Sequence, residues 1–579
     1  MMINCTINGI PVSVPAGHTI LEAARSLCIE IPTLCFLREI NEIGDCRICM
    51  VEVKGVRHLV NACVYPVTEG MEIETNTERV FEARKTTLEL ILSTHDRKCL
   101  SCIRSGNCEL QKLCKDFKVD DEVKYEGEVP KYEYDDSAVH MIRDDNKCIL
   151  CRRCVSACEK WQSVGVIGAN NRGFYTNIGC AFDQSLGDVA CVSCGQCIVV
   201  CPTGAIAEKD QSNEVWEALN DPNKHVIVQT APSIRVTIGE AFGMPIGTNA
   251  EGKMVAALRR LGFDRVFDTN VAADLTIIEE ANEFYERMQR GGIFPMITSC
   301  SPGWVKFCEH YYPEFIPNLS TCKSPQQMFG AMAKTWYAKK MGIDPENIFV
   351  AGVMPCTAKK FEKTREHEAA SGFSDVDVAL TTREAARMIS RAGINFEILP
   401  DEKFDDPFGE ATGAGVIFGT TGGVMEAALR TAYEELTGSE PPSLDFTFVR
   451  GMNGIKEAVF KIGNLDISVV AVSGLANART VLDSVKRGEK KYHFIEIMGC
   501  PGGCINGGGQ PVVSAATRNF VDLKALRAKS LYEKDQGMTL RKAHDNPVLK
   551  KIYEEFLGHP GSELAHKMLH TDFVRRNRL

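Results

Sequence analysis

The chain has 579 residues, a hydrophobic fraction of 44% and a net charge of -10, values typical of a folded protein with several domains. The negative charge argues against a nucleic acid as partner. No apolar run reaches the roughly 20 residues of a membrane-spanning helix, and no signal peptide is visible. The sequence therefore predicts a cytoplasmic protein with no membrane and no nucleic-acid partner.

Cysteine is the most informative residue type in this chain. There are 25 cysteines, an odd number, and most of them stand in tight groups. Because the cytosol opposes disulfides, clustered cysteines in such a protein more often bind metal or do redox work. Six cysteines fit no group and are expected to be free buried thiols: Cys5, Cys28, Cys114, Cys180, Cys308 and Cys322.

The first 78 residues predict a small mixed sheet with one helix. Strand-like runs flank Asn8-Gly9, a dipeptide typical of a type I′ hairpin turn. Thr19 and Glu22 form a predicted capping box before a helix that reaches about Leu27. Four cysteines follow: Cys35, Cys46, Cys49 and Cys63. Their spacing fits a [2Fe–2S] site, although the first gap is longer than in the plant-type pattern and structural zinc is a serious alternative.

Residues 79–118 predict a helix followed by a second metal-binding group. The helical pattern covers residues 80–92. The group that follows is His95, Cys99, Cys102 and Cys108. One histidine with three cysteines can hold zinc or a [4Fe–4S] cluster with one imidazole ligand, and the residues alone favour neither. The charged stretch 116–136 predicts a linker.

Residues 139–210 contain the same cysteine spacing twice. The copies are Cys148, Cys151, Cys154 and Cys158, then Cys191, Cys194, Cys197 and Cys201. This is the bacterial two-cluster ferredoxin pattern, in which the fourth cysteine of each copy serves the other cluster. Cys201 would therefore complete the first [4Fe–4S] site and Cys158 the second. Zinc is disfavoured because its sites use paired C-x2-C spacings rather than triple ones.

From residue 211 onward, alternating strands and helices indicate an α/β architecture. Three strand-like runs, 293–298, 348–354 and 492–498, each lead into a loop with cysteine. These cysteines are Cys300, Cys356, Cys500 and Cys504. Since ligand sites gather outside the carboxyl ends of parallel strands, we expect these loops to meet at one pocket. The alternative is ordinary loops with buried cysteines.

These three loops resemble the signature loops of [FeFe]-hydrogenases. The matching stretches are Thr298-Ser299-Cys300-Ser301-Pro302-Gly303-Trp304, Met354-Pro355-Cys356-Thr357-Ala358-Lys359-Lys360 and Glu496-Ile497-Met498-Gly499-Cys500-Pro501-Gly502-Gly503-Cys504. The likeness covers nearly the whole chain and includes the N-terminal cluster motifs in the same order. The sequence is most similar to catalytic subunits of multimeric NAD(P)-linked enzymes of the electron-bifurcating or NADP-reducing kind.

The resemblance implies a multidomain α+β and α/β fold. The implied domains are a β-grasp [2Fe–2S] ferredoxin-like domain (1–78), a [4Fe–4S] domain with one histidine and three cysteine ligands (79–118), a two-[4Fe–4S] ferredoxin domain (139–210) and a catalytic α/β hydrogenase domain (211–579). It implies reversible oxidation of H2 and reduction of protons at a diiron–[4Fe–4S] cofactor, the H-cluster. One [2Fe–2S] and three [4Fe–4S] clusters would carry the electrons, so iron now outweighs zinc at the His95 group.

The resemblance also implies partners and leaves two other functions to exclude. The partners are a flavin- and NAD(P)-binding subunit, a small [2Fe–2S] subunit and ferredoxin. Since no G-x-G-x-x-G fingerprint is evident in this chain, a nucleotide or flavin cofactor would be bound by another subunit. An electron wire like the iron–sulfur subunit of respiratory complex I is disfavoured by the loops after residue 290. A sensory relative is disfavoured because Cys300 is kept and no sensor domain is evident.

The family's site residues transfer to this sequence position by position. Cys356, Cys500 and Cys504 match ligands of the [4Fe–4S] cube, and Cys504 matches the bridge to the diiron unit. The proton route matches Cys300, Glu280, Ser320, Glu283 and Arg287. The wall of the diiron pocket matches Lys359, Ser233, Pro232, Gln326, Met354 and Met498.

One position departs from the family pattern. The family commonly has two adjacent cysteines in the first loop, the second being a cube ligand, and this chain has Ser301 at the second position. Either the Ser301 oxygen or another group completes the cube, or Cys300 becomes the ligand. Between these we favour the relay role for Cys300.

Overall fold

The computed structural model describes residues 1–120, 124–125, 127–462 and 465–578. Residues 121–123 and 126 of the predicted linker lie outside the described residues. The linker is preceded by a helix that ends at Asp116, and its last residues form a short strand, Tyr134–Asp135.

The first domain is a five-stranded sheet with one helix. Its elements are β1 Met2–Ile7, β2 Ile10–Pro15, α1 Ile20–Ser26, β3 Met50–Val53, β4 Val60–Asn61 and β5 Met71–Glu74. The spatial order is β2-β1-β5-β3-β4, with β1 antiparallel to β2 and parallel to β5. Asn8 and Gly9 both have positive φ, as a type I′ turn requires, so the predicted hairpin is confirmed. The capping box of Thr19 and Glu22 is confirmed as well.

The next two domains are small and pack against each other. Their elements are α2 Glu78–Ser93, α3 Glu109–Asp116, β6 Tyr134–Asp135, β7 Met141–Asp144, α4 Arg153–Ser156, β8 Gly168–Asn170, β9 Asn177–Gly179, α5 Gln196–Val200 and β10 Ile206–Glu208. The predicted helix over 80–92 is confirmed within α2. A buried Arg153 side chain forms an ion pair with Glu109 at 3.0 Å, which joins the two domains.

The two cysteine copies share one backbone path. Leu150 and Arg152 of the first copy have positive φ, and so do Ser193 and Gly195 at the matching positions of the second. Each copy then enters a short helix, α4 or α5. Left-handed residues reverse the chain within a few residues, so the backbone folds around a common centre in each copy.

The last and largest region contains two sheets. Its strands are β11 His225–Thr230, β12 Arg265–Asp268, β13 Met296–Ile297, β14 Ile348–Met354, β15 Val378–Thr381, β16 Ile455–Ile462, β17 Leu465–Ser473 and β18 Phe494–Met498. One sheet has the order β12-β11-β14-β15 and is parallel. The other has the order β13-β18-β17-β16, with only β16 antiparallel. The three strands predicted before the cysteine loops are confirmed, two with shorter bounds.

Helices cover both sheets and carry the chain between them. They are α6 Ser212–Leu219, α7 Glu251–Arg260, α8 Asn270–Arg290, α9 Pro302–Tyr311, α10 Pro325–Met332, α11 Ala338–Met341, α12 Ala358–Glu362, α13 Thr382–Arg391, α14 Gly413–Ile417, α15 Gly423–Thr437, α16 Leu475–Lys486, α17 Ala515–Arg518, α18 Leu523–Gln536, α19 Pro547–Ile552 and α20 Glu563–Leu569. No helix in the described part of the chain has both the length and the apolar content needed to cross a bilayer.

Residues 514–576 form a C-terminal segment that returns across the molecule. Asn519 accepts a hydrogen bond from the Arg38 amide of the first domain at 3.1 Å. Asp535 makes a buried ion pair with Arg430 at 2.9 Å. Near its end, Arg576 pairs with Glu309 at 2.7 Å. The segment is thus held by side-chain contacts along its whole length.

Candidate active site and cluster-binding groups

The four cysteines of the first domain lie together. The Sγ atoms of Cys49 and Cys63 are 3.3 Å apart, and the neighbouring thiols of Cys46 and Cys63 lower the pKa of Cys35 to about 2. Arg84 is buried beside them and donates to the Met50 carbonyl at 2.7 Å. Four thiols at one buried spot form a donor set suited to a [2Fe–2S] cluster.

The His95 group lies against the loop of Cys201. The Nδ1 atom of His95 is buried and has no hydrogen-bond partner, and burial lowers the pKa of this imidazole. The Cys108 thiol donates to the Pro202 carbonyl at 3.6 Å. A buried imidazole with an unpartnered nitrogen, close in sequence to three cysteines, fits a metal centre, because such a nitrogen is costly unless it acts as a ligand.

The two ferredoxin-like copies bring their fourth cysteines to the opposite group. Burial and the neighbouring charges of Cys151 and Cys201 raise the pKa of Cys148. In the other group, burial and the charge of Cys191 raise the pKa of Cys158 to about 11. The thiols therefore lie in the crossed arrangement that the spacing predicts, with Cys201 beside the first group and Cys158 beside the second.

The cysteine groups follow one another through short buried contacts. The Asn41 amide donates to the carbonyls of Cys35 at 2.7 Å and Cys151 at 2.9 Å, which joins the first domain to the first ferredoxin-like group. At the other end, the backbone of Gly195 packs so tightly on Gly508 that no Cβ would fit there. The side chain of Gln196 donates to Asn506 at 2.9 Å. These contacts place the second group directly beside the loop that carries Cys500.

The loops after β14, β18 and β13 meet at one cavity, which together with its opening to solvent contains about 710 Å³ of empty space. Its wall includes ten of the residues predicted from the sequence. Eight are Cys300, Ser301, Cys356, Lys359, Cys500, Cys504, Met354 and Met498, and Pro232 and Gln326 also line it. Ser233 does not: it is buried behind the wall, where its hydroxyl accepts from Gln510 at 3.2 Å. The pocket expected from the strand order is therefore present.

Glycines bring the backbone close to this cavity. A Cβ on Gly503 would lie 2.7 Å from the amide of Thr421, and one on Gly509 would lie 2.9 Å from the carbonyl carbon of Pro355. Burial and the charge of Cys356 raise the pKa of Cys504 to about 12. Burial also raises the pKa of Cys356 and Cys500, so the three thiols stay protonated unless a bound metal cluster stabilises their thiolates.

Lys359 has a partner that sequence reasoning missed. Its ammonium donates to both carboxylate oxygens of Glu362 at 3.1 and 3.0 Å and to the Cys300 carbonyl at 3.3 Å. Glu362 also accepts from Ser324 and Gln326. The only signal was the i,i+3 spacing of Lys359 and Glu362, which is too common on helices to single out.

Ser301 and Cys300 face different surroundings. The Ser301 hydroxyl accepts from the Gly499 amide at 3.1 Å. For Cys300, burial and the charge of Glu280 raise the thiol pKa well above its ordinary value. Cys300 therefore lies on the side of the pocket that leads to helix α8.

Helix α8 carries the polar residues behind Cys300. Glu280, Glu283 and Arg287 are spaced i, i+3 and i+7 and share one helix face. The Ser320 hydroxyl donates to Glu283 at 3.0 Å, and Arg287 donates to Glu283 at 2.6 Å. All five residues predicted for a proton route are thus neighbours in one row from the pocket toward the surface.

Glu280 is the most perturbed carboxyl of this row. Both of its oxygens are buried without a hydrogen-bond partner. Burial and the charge of Glu283 raise its pKa to about 8, although the nearby Ser320 hydroxyl opposes the shift. A carboxyl that changes its charge near neutral pH is suited to proton transfer.

The unassigned cysteines are mostly, but not all, buried. Cys5, Cys180, Cys308 and Cys322 are buried, Cys114 is half-buried, and Cys28 is exposed. The prediction of a buried thiol is therefore wrong for Cys28, which has positive φ just past the end of α1.

Comparison with protein families covers most of the chain. Residues 224–508 match the C-terminal domain of the iron only hydrogenase large subunit, and residues 521–576 match the iron hydrogenase small subunit. Residues 1–78 match a 2Fe-2S iron-sulfur cluster binding domain, 84–122 the NADH-ubiquinone oxidoreductase-G iron-sulfur binding region, and 147–205 a 4Fe-4S dicluster domain.

Individual relatives agree with these matches. The chain is 50% identical to NADP-reducing hydrogenase subunit HndD of Solidesulfovibrio fructosivorans over 100% of both chains. It is 45% identical to iron hydrogenase 1 of Clostridium pasteurianum over 98% of this chain and 99% of that one. Among solved structures, an apo [FeFe]-hydrogenase from Chlamydomonas reinhardtii is 40% identical, with a TM-score of 0.55, over 63% of this chain and 99% of that one.

Proposed function

Because the chain belongs to the iron-only hydrogenase family, we propose that it is the catalytic subunit of a multi-subunit enzyme that oxidises H2 and reduces protons. Electrons travel through its [2Fe–2S] and [4Fe–4S] domains, and the H-cluster domain is the site of the reaction. One observation carries the proposal: the thiols of Cys356, Cys500 and Cys504 line a cavity, and Cys300 in its wall lies close enough to Glu280 for that carboxyl to raise the pKa of the thiol.

The cavity wall would hold and orient the cofactor. Cys356, Cys500 and Cys504 are the proposed cube ligands, and Lys359 is a cation held in the wall by Glu362. Gln326 presents a buried Oε1 atom that has no partner. When bound, the diiron–[4Fe–4S] group supplies the open metal site at which H2 is split. The largely apolar wall excludes water, which strengthens each of these polar contacts.

The proposed proton route uses only residues of this chain. The raised pKa of Cys300 keeps its thiol protonated, so the thiol can release a proton only while it recovers one. Glu280, with its pKa of about 8, is the neighbouring group that can supply or accept that proton near neutral pH. The Ser320 hydroxyl then connects Glu280 to Glu283, since it donates to Glu283 and lies beside Glu280.

We also propose the ligand sets and domain bounds predicted from the sequence. The domains are 1–78, 79–118, 139–210 and 211–579, and each of the first three holds its own cysteine groups. The crossed positions of Cys158 and Cys201 support the ferredoxin-like ligand sets. The buried, unpartnered Nδ1 of His95 supports imidazole ligation in the second domain.

The partners are proposed on narrower grounds. A relative named as an NADP-reducing hydrogenase subunit and a small-subunit match within this chain indicate a multi-subunit assembly. We propose a flavin- and NAD(P)-binding subunit, a small [2Fe–2S] subunit and ferredoxin as the other members. The first domain, at the far end of the row of cysteine groups, is the proposed contact.

Anaerobic purification of the native assembly tests this function directly. The expected result is dye-linked H2 evolution and uptake, iron for one [2Fe–2S], three [4Fe–4S] and one diiron–[4Fe–4S] group, and infrared bands of CO and cyanide. Identification of the co-purifying chains tests the proposed partners. Full iron loading with those bands but no H2 turnover would contradict the catalytic assignment.

A further inference from the structure

A second hydrogen-bonded row meets the proposed proton route at Glu283. The Thr321 hydroxyl donates to Glu283 Oε2 at 3.3 Å, and the same hydroxyl lies 2.7 Å from Nδ1 of His570. His570 follows helix α20 in the C-terminal segment. Its backbone is fixed there because residues 569–571 pair with 321–323, through Lys323 to Leu569 and Thr571 to Thr321.

We propose that the proton route forks at Glu283 and that His570, acting through Thr321, is a proton donor and acceptor for it. This inference rests on the proposed function, because it concerns the supply of protons to that same site. Arg287, which also donates to Glu283, is not an alternative proton source, since a guanidinium does not release its proton in proteins. Imidazole is the side chain that gains and loses a proton near neutral pH.

Both ring nitrogens of His570 have a hydrogen-bond partner. Its Nε2 lies 3.3 Å from Glu279 Oε2. Glu279 also accepts from the Gly561 amide at 3.0 Å and from the Tyr553 hydroxyl. The imidazole of His570 therefore bridges Glu279 at Nε2 and Thr321 at Nδ1.

The groups that face His570 come from four elements. Helix α8 contributes Glu279 and, beyond Thr321, Glu283. The segment paired with His570 contributes the buried thiol of Cys322, and the residues after α19 contribute Tyr553. Helix α20 contributes His566, whose ring stacks on that of His570 with the ring centres 4.0 Å apart. His566 is exposed and the side chain of His570 is 7% exposed. The imidazole therefore lies between solvent and the buried row.

The transfer balances without any added reactant. The N–H bond at Nδ1 of His570 breaks while an O–H bond forms on Thr321 Oγ1, and the original hydroxyl proton of Thr321 moves to Glu283 Oε2. His570 becomes neutral and then takes a proton from water at the protein surface, next to the half-buried Thr321. In H2 oxidation the same steps run in reverse.

Three variants of the anaerobic holoenzyme test the fork. In His570→Gln and in Thr321→Val, H2 evolution at neutral pH should fall about tenfold, less than for loss of a main relay group. The pH profile of turnover should also lose the limb contributed by the imidazole. Thr321→Ser keeps the hydroxyl and should retain the wild-type profile. His559→Gln alters an exposed imidazole of the same C-terminal segment, one that lies beside the Pro560 carbonyl and outside the hydrogen-bonded row; it is the control and should leave both rate and profile unchanged.

The fork is overturned if His570→Gln keeps the wild-type rate and pH profile, or if Thr321→Ser is as damaging as Thr321→Val. A second measurement does not depend on turnover. The pH at which the infrared band of a protonated buried carboxyl of the proton route appears should shift in His570→Gln and not in His559→Gln. If this carboxyl band shifts in a protein that turns over no H2, the result contradicts the proposed function but supports the fork. If the band titrates at the same pH in His570→Gln as in the wild type, the fork alone is refuted.

Discussion

In residues 1–210 each cysteine group comes from a short stretch of chain or from two copies of one loop, whereas the pocket cysteines come from loops of two different sheets. Cys356 follows β14 of one sheet, and Cys500 and Cys504 follow β18 of the other. The first kind of site needs only local turns, such as the left-handed residues at Leu150 and Ser193. The second exists only after both sheets have folded and packed.

This difference indicates which substitutions should disturb the function of each kind of site. A cluster held by local loops tolerates changes elsewhere in the chain, because its ligands are already neighbours in sequence. A pocket assembled from distant loops depends on buried groups that touch no metal, such as Glu280 and Glu362. We therefore expect substitutions near the pocket to change proton transfer and those in the first 210 residues to change electron transfer.

The largest effect should follow from Cys300→Ser. A serine hydroxyl has a far higher pKa than a thiol and relays protons poorly, so turnover should fall by about two to four orders of magnitude. Infrared spectra should retain the CO and cyanide bands if Cys300 is the relay group. Loss of those bands would instead make Cys300 a cube ligand. Cys308→Ser removes another buried thiol, one that donates to the Tyr312 carbonyl, and should leave turnover intact.

Glu280→Gln should lower turnover by about a hundredfold and also change the pH dependence of stability. Burial raises the pKa of Glu280 from 4.5 to about 8. Between these values the folded state binds more protons than the unfolded chain, so this carboxyl destabilises the fold increasingly as pH rises through that window.

Thermal unfolding of both proteins at pH 5 and pH 8.5 measures the effect of Glu280. The gain in unfolding temperature of Glu280→Gln over wild type should be larger at the higher pH. A gain that is equal at both pH values would contradict the raised pKa. Glu286→Gln alters an exposed carboxylate on the same helix, paired with Arg290, and should show no such pH-dependent gain.

Cys49→Ser should separate the two regions without affecting the pocket. Loss of a ligand from the first domain should nearly abolish nucleotide-coupled turnover, because electrons would no longer reach the row of clusters from the partner. H2 evolution with an artificial dye should stay largely intact. Cys5→Ser alters a buried thiol of the same domain that lies outside the cysteine group and is the matched control. If both activities survive the substitution equally, the electron path does not begin in this domain.

The smallest effect should follow from His95→Cys. A thiolate in place of an imidazole lowers the potential of an iron–sulfur cluster, here by on the order of 100 mV, while the iron content stays the same. Redox titration followed by EPR measures the shift. Zinc in place of iron at this group, or an unchanged potential, would contradict imidazole ligation.

Sequence reasoning reached local features well and long-range ones only through resemblance. The turn at Asn8-Gly9 and the capping box at Thr19 follow from a few neighbouring residues, and the structure confirms both. The meeting of the three cysteine loops also followed from strand patterns, because ligand sites gather at the carboxyl ends of parallel strands, although the structure draws these strands from two sheets. The roles of Glu280 and Ser320 did not, since nothing in the sequence near Cys300 points to either residue.

Glu362, Thr321 and His570 were missed for the same physical reason. Each of these residues is of a common type, and the sequence spacing does not show which residue it contacts in the folded protein. Thr321 and His570 are brought together only when the C-terminal segment crosses the molecule and pairs with residues 321–323. A single sequence has no signal for such a contact.

The C-terminal segment has a further consequence for how the molecule can be divided. It is anchored at Asn519, Asp535 and Arg576 by contacts that do not involve the connection after β18. A chain cut between residues 508 and 514 should therefore persist as a non-covalent pair, and the two fragments should recombine when mixed. In such a pair His570 would reside on the smaller fragment, so an exchange of fragments between relatives would transplant one arm of the proton supply without altering the cavity.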